Sequence, residues 1–149
     1  MALSATELRS ILDSEEPDYK QLAAVLQPDD LPQLVELVGG ADAMLASKAA
    51  YAITLVHDES ALQALNTAAA SRFETVRLAS AAGLKNMRGF DVTSVAQQLL
   101  ADADVGVRKL AIKSAKTLGV SALTPTLEAL ANNDSVPGIR ELATDALNA

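Results

Sequence analysis

Three lysines, Lys109, Lys113 and Lys116, fall four and three residues apart, so a helix would carry all three ammonium groups along one stripe. Such a row can hold carboxylates, and it stands out because the chain has 19 Asp and Glu against 12 Lys and Arg, a formal net charge of −7. A local basic row on an acidic protein can steer an acidic segment of a partner while the bulk charge repels other polyanions. The same balance argues against general nucleic-acid binding and against an anionic membrane surface. A second cluster, His57, Asp58 and Glu59, contains the sole histidine. Imidazole titrates near neutral pH and ligates metals, but adjacent residues in a turn do not converge on one ion, and the chain has no cysteine. We therefore expect no catalytic, cofactor-binding or metal-binding residues. A third set, Arg77, Arg108 and Arg140, lies near Glu74, Asp104 and Asp134 in the preceding turns. These arginines are expected to form a structural ion-pair ladder with a neighbouring unit's turn.

The elements that place these groups repeat every thirty-one residues. Leu31, Leu62, Thr93 and Thr124 are in register, followed by Leu34, Leu65, Ala96 and Leu127, then Leu37, Ala68, Leu99 and Leu130. The second half of the unit repeats at Leu45, Val76, Val107 and, after one inserted residue, Ile139. A fixed period of this length marks stacked supersecondary units. In the first half, apolar residues at helical spacing follow Asp29 and Asp30, with Pro32 in the opening turn, which predicts a helix A. Breaks are expected at Gly39 and Gly40, at Ser71, at Asp102 to Asp104 and at Asn132 to Ser135. Helix B reads most clearly in the third unit, from Val107 through Leu110, Ala111, Ser114 and Ala115 to Leu118, with Gly119 as its stop. Half of the residues are apolar but only 3% are aromatic, so the core must be built from Ala, Leu and Val.

The stretch Leu123-Thr-Pro-Thr-Leu-Glu-Ala-Leu-Ala-Asn-Asn-Asp134, with Ile139-Arg-Glu-Leu-Ala-Thr-Asp-Ala-Leu147, resembles the HEAT-like repeat in its short bacterial form, the form also found in phycobilisome lyase subunits. Val76 and Arg77, Val107 and Arg108, and Ile139 and Arg140 match that family's Val-Arg step, whereas Leu45 and Ala46 keep the apolar residue and lose the arginine. The resemblance implies an all-α, right-handed α-α superhelix of about four helical hairpins over residues 29–149, with residues 1–28 as a helical N-terminal cap. It also implies that helix B lines the concave side.

On that side, the outward stripe of helix B reads Ser47, Tyr51, Thr54; then Leu78, Ala82, Lys85; then Lys109, Lys113, Lys116; then Glu141, Asp145, Asn148. The surface would grade from neutral and aromatic, through apolar and basic, to acidic. The function expected is a non-enzymatic protein-interaction scaffold that binds a partner segment through Tyr51, Leu78, Ala82, Lys85, Lys109, Lys113 and Lys116. The resemblance implies one alternative, an accessory subunit of a bilin lyase or another bilin-handling protein. At the C-terminal end Leu123, Leu127 or Leu130 are expected to be thinly covered, which would give a weak homodimer surface. The first nine residues lack the basic start and apolar run of a signal peptide, and a cytoplasmic protein is expected.

Overall fold

A computed structural model describes residues 2–149. Among them there are ten α-helices and no strand: α1 (Ala5–Leu12), α2 (Tyr19–Val25), α3 (Leu31–Val38), α4 (Ala43–Ile53), α5 (Ser60–Ala69), α6 (Glu74–Gly83), α7 (Thr93–Leu100), α8 (Val105–Leu118), α9 (Thr124–Asn133) and α10 (Pro137–Leu147). The starts of α1, α2, α4 and α8 follow from side chains that satisfy the orphan N–H groups of a first turn. Asp42 accepts from the Leu45 N–H (3.1 Å) and Asp104 from the Val107 N–H (2.9 Å). Ser4 and Glu7 form a reciprocal capping box on α1. Pro32, Pro125 and Pro137 stand in the first turns of α3, α9 and α10, where a missing N–H costs nothing. At the far end of α8, Gly119 takes the left-handed conformation (φ 63°) that ends the helix.

From α3 onward the helices alternate between two layers. α4, α6, α8 and α10 pack against one another in succession, and α3, α5 and α7 form the second row. The B layer is tight because its contact positions are small: Ala46, Ala49, Ala50, Ala52 and Ala81 are all fully buried. Gly83 marks the closest approach. A Cβ there would lie 2.5 Å from Thr54 Oγ1 and 2.7 Å from its Cγ2, so α4 and α6 meet at that distance because the carbon is missing. Ser114, buried on α8, ties it to α6 by donating to the Ala81 carbonyl (2.6 Å).

The first two helices attach by specific polar contacts rather than by the repeat's own joints. The buried Asp30 carboxylate accepts from the Leu3 N–H (2.7 Å) and the Gln27 N–H (2.8 Å), and the Gln33 amide donates to the Leu3 carbonyl (2.8 Å). On α2, Tyr19 packs on Tyr51 of α4 with ring centroids 4.7 Å apart, and Lys48 donates to the Ser14 carbonyl (2.6 Å). Leu8, Leu12 and Leu22 complete the apolar seam.

Candidate functional site

α8 buries Val107, Ala111, Ile112, Ser114 and Ala115, a stripe that turns the opposite side of the helix to solvent. Lys109, Lys113 and Lys116 lie exposed on that side. Lys116 Nζ reaches Asp145 Oδ2 of α10 at 2.6 Å, an ion pair whose side chains are 45% and 64% exposed. Lys109, Lys113 and Lys85 have no ion-pair partner among the described residues. Lys85 is exposed in the short turn of 3-10 helix that follows α6. Leu78 and Ala82 are half-buried on α6. Leu78 leans over Gly106 of α8, where a Cβ would come within 3.2 Å of its Cδ2, so the glycine makes room for the leucine. The apolar row of α6 therefore abuts the basic row of α8, and the basic row abuts the acidic row of α10, where Glu141 is exposed.

Two members of the expected stripe are placed otherwise. Thr54 is buried, donates to the Tyr51 carbonyl (2.6 Å) and accepts from the Asn86 amide (3.1 Å), so it joins two units instead of facing solvent. Tyr51 is half-buried under Tyr19, and the aromatic end of the face is already occupied by the N-terminal segment. Burial, with Tyr51 beside it, pushes the Tyr19 hydroxyl above the usual tyrosine range. A residue the repeat did not single out is Met44, in the first turn of α4 one turn before Ser47. It is 65% exposed, a large apolar side chain left open on the helix-B layer. Its one legible signal was its register, one place before the first apolar residue of helix B.

The arginines face a separate edge. Arg77 Nε donates to Asp102 Oδ2 (2.9 Å) and its Nη1 to the Ser71 carbonyl (3.0 Å). Arg108 grips both oxygens of Asp134 (2.9 and 3.1 Å), and its Nη1 donates to the Asp102 carbonyl (3.0 Å). Arg140 donates to the Asp134 carbonyl (2.6 Å). Each arginine thus binds a carbonyl of its own unit's turn, and the first two reach forward to the aspartate of the next unit. The carboxylate facing Arg77 is Asp102, not one in the turn that precedes its helix. Asp104 is the N-cap of α8, and Glu74 is exposed and makes no ion pair among the described residues. Burial pushes the Asp134 carboxyl up, but the Val136 N–H, the hydrogen bond from Arg108 and the charges of Arg108 and Arg140 outweigh it and hold it below the usual carboxylate range.

His57 is exposed in the turn after α4, its ring edge-on to Phe90 with centroids 5.0 Å apart. Among the described residues no three His, Asp or Glu side chains group as a metal ion would require. At the C-terminal end Leu123 and Leu127 are buried, contrary to the expectation of thin cover, while Leu130, Leu142, Ala146 and Leu147 are half-buried. Thr144 is exposed where the register positions of the earlier units, Ala50, Ala81 and Ile112, are buried.

A family model for HEAT repeats matches residues 66–148, more than half of the chain. The chain belongs to the HEAT repeat family. Among solved structures this HEAT array is similar to a chain of the CpcE and CpcF complex of phycocyanin lyase from Nostoc sp. PCC7120, with 18% identity, 95% of this chain and 96% of that chain covered, and a TM-score of 0.74. It is also similar to a designed armadillo repeat protein in complex with the peptide (KR)4, with 17% identity, 97% and 80% coverage, and a TM-score of 0.58. At these identities the likeness is one of fold: an all-helical repeat solenoid. No curated protein matches the sequence. Among the described residues of the HEAT array, no helix is long and apolar enough to cross a membrane.

Proposed function

We propose that this HEAT array is a non-enzymatic scaffold that takes an acidic segment of another protein on the outward face of its B helices. Lys109 and Lys113 recognise the charge, Lys85 flanks them, and Leu78 and Ala82 form the apolar floor. The observation that carries the reading is that these lysines are exposed and have no ion-pair partner among the described residues in a chain with 19 carboxylate side chains, while Arg77 and Arg108 are committed to aspartates. Lys116 contributes through exchange, because an exposed ion pair such as that with Asp145 is worth less than about 1 kcal/mol and yields to a better placed carboxylate. The designed armadillo protein is described with a basic peptide. The reading here is the same use of a solenoid surface with the opposite charge.

The bilin-handling alternative draws on the likeness to the phycocyanin lyase complex, which is one of fold, and Tyr51, the aromatic member of the expected face, is packed against Tyr19. A weak contact between copies of the chain, through half-buried Leu130, Leu142 and Leu147, completes the reading.

The test is fluorescence anisotropy with a labelled Glu-rich peptide and a Lys-Arg-rich control, on the native chain and on the double variant Lys109→Glu, Lys113→Glu. The native chain should bind the acidic peptide in preference to the basic one, more weakly as salt rises. The variant should lose about tenfold or more in affinity with its helical circular dichroism unchanged. Equal binding of both peptides, or unchanged affinity in the variant, would overturn the proposal.

A further inference from the structure

The face is graded across three successive B helices. Leu78 of α6, one turn before Ala82, lies over Gly106 of α8, one turn before Lys109, and Lys116 of α8 touches Asp145 of α10. Lys109 and Glu141 occupy the same register position in successive units, yet neither is in an ion pair among the described residues. Asp145 is engaged by Lys116, so Glu141 is the acid left open on α10. A chain crossing the rows at right angles to the helices therefore meets an apolar group, then an ammonium, then a carboxylate.

The spacing selects the conformation of such a chain. Packed helices lie about 8–10 Å apart. In a β-strand, residues three apart cover about 10 Å but point to opposite faces, because the side chains alternate. In polyproline II, residues three apart return to the same face after about 9 Å. A helix would need its contacts seven residues apart to span one unit with the same side facing down.

Building on the lysine face as the docking surface, we infer that the partner segment is read in polyproline II form, with an apolar, an acidic and a basic residue at steps of three. The acidic residue is central and sits on Lys109 and Lys113. The apolar residue rests on Leu78 and Ala82, and the basic residue meets Glu141. The central carboxylate matters most, because it alone is flanked by both other rows.

Three labelled peptides test this by titration against the native chain: Leu-Pro-Pro-Glu-Pro-Pro-Lys, its reversal, and the permuted Glu-Pro-Pro-Leu-Pro-Pro-Lys. One of the first two should bind at least about tenfold tighter than the permuted peptide, and the Glu141→Lys variant should prefer the tighter peptide with its Lys replaced by Glu. Equal affinity for all three overturns the inferred order, tighter binding by a helical peptide with the same groups seven apart overturns the inferred polyproline II form, and either result leaves the lysine surface standing. Failure of every acidic peptide, including the Glu-rich one, overturns both.

Discussion

Arg108 and Lys109 are neighbours on one helix and carry the same charge, yet they stand in opposite states. Arg108 is bidentate on Asp134, with the two side chains only 11% and 5% exposed, and it spans the joint between the third and fourth units. Lys109 points into solvent with no counter-ion among the described residues. The planar guanidinium suits a fixed, forked contact, and the flexible ammonium suits a partner that arrives from outside. A single residue step, about 100° around the helix, thus separates the charge that holds the array together from the charge that is left for recognition.

Removing the committed charge should have the largest effect. Arg108→Ala strands a buried carboxylate and should destabilise the fold by about 3 kcal/mol in urea unfolding. Arg77→Ala, with a single contact to Asp102 and side chains 21% and 9% exposed, should cost roughly half of that. Equal losses would erase the distinction between the two joints. Acid should weaken the same contact more gradually. Because the folded Asp134 carboxyl is held below its unfolded value of about 3.9, its contribution is present above that pH and disappears as pH falls through the lower folded value. The difference in urea midpoint between the native chain and Asp134→Asn should therefore shrink below about pH 4. A constant difference from pH 7 to pH 2 would show that the charge of Asp134 is not what stabilises the joint. The smallest effect concerns the exposed side of α10. Thr144→Ile restores the kind of side chain that Ile112 buries at a joint, and it should raise concentration-dependent self-association in sedimentation velocity with little change in thermal stability. A variant as monomeric as the native chain would show that this flank does not take a second copy.

Much of the fold was legible because the period marks the units and several helix boundaries have a local chemical cause. Asp104 and Gly119 frame α8 by capping and left-handed backbone, and both effects are written in the residue type. Spacing set Arg77 beside Glu74 and enlisted Asp104 in the ladder, whereas the carboxylate that receives Arg77 is Asp102. Asp102 and Asp104 are two residues apart, and the choice was made by Asp104 turning inward to cap its own helix. The helix-B stripe was legible where the neighbouring helices leave it alone, at Lys109 and Lys113. It failed at Thr54 because Gly83 lets α6 approach so closely that the threonine is covered, and at Tyr51 because Tyr19 comes from a segment outside the repeat's register.

Gly83 has a consequence that reaches past its own joint. In a stack, the separation of one pair of rods sets where every later rod begins, and α4 and α6 are held together at a place where a methyl group would strike three atoms of Thr54. A small angular error there would be carried through α8 and α10 and amplified with distance. The array then behaves as a ruler, and the absent carbon at its second graduation helps fix how far apart the later marks fall.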